Sequence, residues 1–209
     1  MARQGELFPS TRLAQFPPGG ESLPLLAHQL LDWQRRLADH QGPLFAGGGS
    51  GSLQPSLFDA GLQGRPHPRE EPVDAEQAGA QLNPLLLQAQ SLSFWRWPRA
   101  PQRGAALYFV TDHCPVLAAD LLLYVGETGQ AAQRWKGEHD CKHYLAAYSE
   151  ALAKAQLSGQ LSIRFWLDAP QAVRPRRALE QALIRRWLPP FNKETRQRWA
   201  TPFTAGDDP

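Results

Sequence analysis

Residues 105–139 read AALYFVTDHCPVLAADLLLYVGETGQAAQRWKGEH, and they decide the fold of this 209-residue chain. Two short apolar runs, 105–111 and 121–126, are rich in aromatic and β-branched residues and are bounded by turn-forming residues. The pattern predicts two strands joined as a β-hairpin. Each run carries one tyrosine, Tyr108 and Tyr124, and we expect both hydroxyls on one face of that hairpin.

The remainder of the C-terminal half predicts one more strand and further helices. Apolar residues at helical spacing indicate a helix over about 142–157, and strict alternation over 161–167 indicates a third strand. A last helix begins near Pro175 and ends before Pro189. The order predicts an α+β domain with a small three-stranded antiparallel sheet flanked by helices.

Glycine and proline mark the domain organisation, because 24 of them fall in residues 1–104 and 12 in residues 105–209. We therefore expect a largely irregular N-terminal region with one amphipathic helix, which packs on the C-terminal domain or on a partner. The predicted segments are an arm over 1–92 with the helix near 22–40 and a flexible linker near 46–72, a domain over 93–200, and a tail over 201–209.

Charge and cysteine content narrow the function classes. The net charge of +2 is small, but eight basic residues against two acidic ones lie between Arg174 and Arg198, and such a segment can face phosphate. Two cysteines exclude a disulfide scaffold and favour a reducing compartment. No stretch reads as a secretory signal or a membrane span, so we expect a cytoplasmic protein.

Five short segments follow one another in a recognisable order. They are Ala106-Leu107-Tyr108, Tyr124-Val125-Gly126, the turn over 126–130 followed by Arg134, the helix around Glu180, and Pro189-Pro190-Phe191-Asn192. In this order they resemble the GIY-YIG nuclease family over roughly the C-terminal half of the chain. The resemblance implies the family's α+β fold and a nuclease that acts on DNA.

The resemblance also implies a catalytic set of Tyr108, Tyr124, Arg134 and Glu180, with Glu180 as the ligand of Mg²⁺ or Mn²⁺. The first tyrosine would help to activate water, the second would position the phosphate, and Arg134 would hold its developing charge. His139, about one turn beyond Arg134, is a further candidate for proton transfer or phosphate binding. Expected substrate-binding residues are Gly126, Thr128, Arg176, Arg177 and Asn192.

Structural alternatives exist for these residues. Strand tyrosines commonly pack in a core with satisfied hydroxyls. Glu180 could pair with Arg176 or Arg177 on the helix surface, four and three residues earlier. Three positions depart from the family pattern, since Ala106 replaces a glycine, Gln130 an asparagine and Glu127 a lysine found in some members. A zinc site is another alternative, formed by His113, Cys114, His139, Cys141 and His143.

Two peptides in the N-terminal half share the form Gln-x-x-Leu-Phe, which resembles the segment by which many bacterial DNA enzymes bind the replication sliding clamp. Leucine and phenylalanine would fill an apolar pocket while glutamine hydrogen-bonds at its edge, and two peptides on one tether would add through effective concentration. Chance occurrence in a chain rich in glutamine and leucine is the alternative. The residues concerned are Gln4, Leu7, Phe8, Gln54, Leu57 and Phe58.

Together these observations predict a metal-dependent endonuclease that hydrolyses DNA phosphodiester bonds and is tethered to the sliding clamp. Roles in repair, in restriction and in mobile elements are all compatible with such an activity. The alternative is a catalytically inactive module of the same fold that binds DNA or the clamp.

Overall fold

The computed structural model describes residues 26–47, 74–92, 104–131 and 140–201. Within these ranges the chain forms four α-helices and four strands. In chain order they are α1 (Ala27–Gly47), α2 (Ala75–Gln81), β1 (Gln90–Ser91), β2 (Ala106–Cys114), β3 (Ala119–Thr128), α3 (Asp140–Lys154), β4 (Gln160–Trp166) and α4 (Val173–Trp187). Single 3₁₀ turns occupy Pro84–Leu86 and Arg196–Trp199.

The four strands form one antiparallel sheet in the order β1-β4-β2-β3. The predicted α+β class and the β2–β3 hairpin are confirmed, but the sheet has four strands rather than three. The extra strand, β1, pairs with Ile163 and Ser162 of β4. It follows closely on the 3₁₀ turn that ends at Leu86.

The sheet separates two hydrophobic cores. One face of β2 and β3 packs against the first half of α1 and against α3, with Trp33, Tyr108, Tyr148 and Phe191 as large buried members. The other face packs against α2 and α4, with Leu107, Phe109, Leu122, Leu183 and Trp187. Because side chains alternate between the faces of a strand, neighbours in β2 serve different cores.

Helix α1 belongs to the same packed unit as the sheet. Leu30, Trp33 and Leu37 are buried in the first core, as the apolar spacing predicted, while Phe45 lies with its ring centroid 4.5 Å from that of Trp187 in the second core. The helix is longer than predicted, since it continues beyond residue 40 and through Pro43 to Gly47. Residues 22–25, which include the predicted start, lie outside the described residues.

The segment before β1 is also ordered in packed elements. Helix α2, which the sequence did not predict, places Gly79 against Ala182 of α4, and Glu76 forms an ion pair with Arg185. The described segments on either side of residue 93 therefore share one sheet and its cores. No helix in the described part of the chain is long and apolar enough to cross a membrane.

Among the described residues, the outer edge of β3 pairs with no further strand, and side chains from other elements bond its backbone. The side-chain amide of Gln41 in α1 accepts a hydrogen bond from the Leu122 N–H at 2.8 Å and donates one to the Leu122 carbonyl at 3.0 Å. The amide of Asn192 does the same for Val125, at 3.0 and 2.8 Å. Glu180 accepts the N–H of Glu127 at 3.0 Å. These contacts replace a fifth strand and protect the edge.

Candidate functional site

The two tyrosines of the hairpin meet over a glycine. Tyr108 lies opposite Gly126 in the β2–β3 register, and Tyr124 lies opposite Val110, so both rings project from one face. Their ring centroids are 5.9 Å apart and nearly stacked. A Cβ on Gly126 would lie 2.3 Å from the Tyr108 ring, so the ring can lie across the strand only because residue 126 is glycine. The predicted convergence of the tyrosines is confirmed.

The two hydroxyls differ in how far solvent can reach them. Tyr108 is fully buried, which agrees with the alternative that it packs in the core, whereas Tyr124 is partly exposed. Burial, followed by the proximity of Tyr108, raises the pKa of Tyr124. Tyr124 is therefore a neutral phenol at physiological pH, and a neutral hydroxyl can donate a hydrogen bond.

Glu180 lies at the end of the β3 edge, within electrostatic reach of Tyr124. It is partly buried and forms no ion pair with any described residue. Burial raises its pKa to about 7, and the neighbouring carboxylates Glu127 and Glu194 act in the same direction. The Glu127 N–H and Arg177 oppose this rise without cancelling it.

The arginines that precede Glu180 pair with Glu127 instead. Arg176 is buried, donates to Glu127 Oε2 at 2.6 Å, and donates to the carbonyls of Pro170 and Gln171 at 3.0 and 2.8 Å. Arg177 has 68 % of its side chain exposed and reaches Glu127 Oε1 at 3.3 Å. The alternative in which they pair with Glu180 is not what the described residues show, since both arginines form their ion pairs with Glu127.

Asn192 and Thr128, predicted to bind substrate, have internal partners. Both amide atoms of Asn192 bond the backbone of Val125, and the residue is 4 % exposed. Thr128 Oγ1 accepts the N–H of Gln130 at 3.0 Å and holds the turn after β3. Together with the buried Arg176, these residues shape the site from within, whereas Arg177 remains exposed to a ligand.

Several predicted residues lie outside the described residues. Arg134 and His139 fall in the gap 132–139, so the structure tests neither of them. The six residues of the clamp-like peptides likewise fall within 1–25 and 48–73.

The carboxylate of Glu180 suits a divalent cation whose remaining ligands come from water and from the substrate. No group of three or more His, Cys, Asp or Glu side chains among the described residues could bind a metal ion. Mg²⁺, however, is commonly held by one or two carboxylates together with waters and phosphate oxygens. Glu180 fits that requirement, because it is desolvated, forms no ion pair with a described cation, and accepts a hydrogen bond from the Glu127 N–H through Oε1.

The alternative zinc site is not supported among the described residues. Cys114 is buried in the first core, where its thiol approaches Gln34 Oε1 at 3.5 Å. Its neighbour His113 points to the opposite face of β2 and bonds Asp120. Two adjacent strand residues directed to opposite faces cannot serve one ion.

The main feature that the sequence did not reveal is the role of Glu127. Its contacts with Arg176 and Arg177 join residues 49 and 50 positions apart, so no local spacing indicates them. No protein-family model, curated protein or solved structure matches this chain.

We predict that Gly126→Ala destabilises the protein by about 1–3 kcal/mol, because the new methyl group overlaps a buried ring that has no space to move. Near-ultraviolet circular dichroism should report a changed tyrosine environment, and urea unfolding should report the loss of stability.

The matched control is Gly42→Ala on α1, where an added Cβ meets nothing within 4 Å. Alanine has less conformational freedom than glycine in the unfolded chain, so Gly42→Ala should raise the free energy of unfolding by about 0.5–1 kcal/mol. Equal effects of the two substitutions would show that the Tyr108 contact does not matter.

We predict that Glu180 makes the protein less stable as pH rises from about 4.5 to about 7. In this window the folded state keeps a proton that the unfolded state releases, so the free energy of unfolding falls with pH. Glu180→Gln keeps an oxygen acceptor for the Glu127 N–H, and it should reduce this fall by about 1–3 kcal/mol. Urea unfolding at several pH values, with chelator present, measures the difference.

Glu150→Gln is the control, because Glu150 is exposed and Lys154 lowers its pKa, so it stays ionised across the same window. A pH profile of Glu180→Gln that coincides with that of Glu150→Gln would contradict the raised pKa of Glu180.

Proposed function

We propose that this protein is a divalent-metal-dependent endonuclease that hydrolyses phosphodiester bonds in DNA. The observation that carries the proposal is the setting of Glu180, a desolvated carboxylate beside the tyrosine pair that lacks an ion-pair partner among the described residues. A carboxylate that is only structural is normally paired when it is removed from water. The five sequence segments that resemble the GIY-YIG nuclease family, in the same order along the chain, support the same function.

Glu180 would hold Mg²⁺ or Mn²⁺. When bound, that ion would supply Lewis-acid polarisation of the phosphate and lower the pKa of a water molecule. The affinity of the free protein should be low, because a single carboxylate provides the protein's share of the ligands and the phosphate completes the set.

The partly exposed Tyr124 would donate a hydrogen bond to a phosphate oxygen, since its raised pKa keeps the proton on its hydroxyl. Tyr108 is buried and would position Tyr124 through their hydroxyl contact rather than touch the substrate. The exposed Arg177 would bind an adjacent phosphate. Arg134 and His139, outside the described residues, keep the roles that the resemblance implies.

One observation favours the second candidate, a catalytically inactive module that binds DNA or the clamp. Glu127 places a second carboxylate beside the proposed phosphate site and occupies both nearby arginines. The negative charge of Glu127 would weaken phosphate binding until Arg177 releases the Glu127 carboxylate and binds the phosphate instead.

Cleavage of supercoiled plasmid and of branched oligonucleotides by the purified protein tests the proposal, with Mg²⁺, with Mn²⁺ and with chelator. We expect metal-dependent nicking that falls about a hundredfold or more in Glu180→Gln, because Lewis-acid catalysis is worth several kcal/mol. The substitution keeps the acceptor for the Glu127 N–H, so the β3 edge should remain intact. Glu150→Gln removes the same charge from an exposed position on α3 and should cleave normally.

Nicking that persists at the normal rate in Glu180→Gln would contradict the assignment of Glu180. Absence of cleavage on every substrate, by a folded protein that still binds DNA, would leave the binding module as the function.

The proposal includes a cytoplasmic setting and delivery to DNA by the sliding clamp through the two Gln-x-x-Leu-Phe peptides. The biological role of the proposed endonuclease would be in DNA repair or restriction.

We predict that the full chain binds the purified clamp and that alanine at Leu7, Phe8, Leu57 and Phe58 together abolishes this binding. Each peptide alone should bind more weakly than the pair, because the second contact is intramolecular. Surface plasmon resonance with changes in one peptide, in the other and in both measures this dependence. Undiminished binding by the fourfold variant would refute the tether, whatever the outcome of the cleavage assay.

A further inference from the structure

A polar depression of about 280 Å³ lies on the face of the sheet that also carries Phe109, towards the end away from the tyrosines. His113 lies five positions after Tyr108 along β2, which corresponds to roughly 17 Å, and the two side chains point to opposite faces. The depression is therefore distinct from the candidate nuclease site. Polar side chains that line it include Thr111, His113, Asp120, Ser162 and Arg164.

Arg164 brings a positive charge to this depression. Its Nη1 donates to the carbonyls of Leu85 and Leu87 at 3.1 and 2.5 Å, and its Nε reaches Thr111 Oγ1 at 3.4 Å. These bonds fix the guanidinium and leave Nη2 without a hydrogen-bond partner among the described residues. Burial lowers the pKa of Arg164, and the charge of Asp120 opposes this shift.

A chain of hydroxyls extends the donor set. Thr111 Oγ1 and Ser162 Oγ are 2.8 Å apart. Because Arg164 donates to Thr111 Oγ1, the threonine proton can point to Ser162, and the serine proton is then available to an acceptor in the depression. Polarisation along such a chain strengthens its last donor.

One carboxylate, Asp120, lines the depression. Its Oδ1 lies 3.1 Å from His113 Nδ1, so Asp120 orients the ring and leaves Nε2 for a ligand.

We propose that this depression binds the phosphate group of a small phosphate monoester, about the size of a nucleoside 5′-monophosphate. Arg164 Nη2 and the Ser162 hydroxyl supply the donors that the phosphate oxygens require. The volume exceeds that of one phosphate and leaves room for an organic group beside Ala89 and Leu161. The proposal stands whether or not the chain cleaves DNA.

The test is an NMR titration of the ¹⁵N-labelled full-length protein with inorganic phosphate, with deoxyadenosine monophosphate and with uncharged deoxyadenosine. We expect saturable shifts of the amides of Thr111, Ser162 and Arg164 with both phosphates and none with the nucleoside. Arg164→Gln and Ser162→Ala should each weaken binding by about tenfold or more, since each removes a donor to a charged group. Arg35→Gln, which removes an exposed charge from α1, should leave the affinity unchanged.

Ser162→Ala carries the test by itself if Arg164→Gln unfolds, because Arg164 also holds the carbonyls of Leu85 and Leu87. Absence of saturable shifts with either phosphate would overturn the proposal. Equal binding of deoxyadenosine and its monophosphate would also overturn it, since recognition would then not involve the phosphate. Undiminished binding by a folded Ser162→Ala protein would remove the hydroxyl chain from the site and reject the proposal as stated.

Discussion

The outer edge of β3 has backbone groups that no other strand in the described ranges pairs with, and the rest of the structure depends on which groups bond them instead. Gln41 and Asn192 use amides, which both donate and accept, and each serves the N–H and the carbonyl of one residue. Glu180 uses a carboxylate, which only accepts, and it serves one N–H. These contacts draw α1, α4 and the segment after α4 onto one edge, and that arrangement closes both cores.

The same requirement explains why a carboxylate lies beside the tyrosine pair. The N–H of Glu127 fixes Glu180 near the end of β3, where burial and two neighbouring carboxylates make its charged form costly. Gly126, one position earlier, allows Tyr108 to lie across the strand towards Tyr124. The candidate site therefore arises at the point where edge protection and cross-strand packing meet.

Local patterns in the sequence predicted the hairpin, β4, α3 and α4, because each is long enough to show its own periodicity. They could not predict β1, whose two residues become a strand only by pairing with β4, more than 70 positions later. Asp112 shows the same limit, since a carboxylate argues against a buried strand. It is nevertheless fully buried in β2, because the Tyr148 hydroxyl donates to it at 2.7 Å. The candidate residues were predicted by their order along the chain, and their bonding partners were not.

The arginine pair shows why partners decide roles. Basic residues in the first turn of a helix oppose its dipole, and phosphate contact was one explanation for Arg176 and Arg177. Arg176 can be buried because it donates hydrogen bonds to Glu127 and to two backbone carbonyls, so it needs no external anion. Arg177 is different, because it is exposed and its contact with Glu127 is longer. An incoming phosphate would compete with a carboxylate for Arg177 alone, while Arg176 would keep Glu127 in place beneath it.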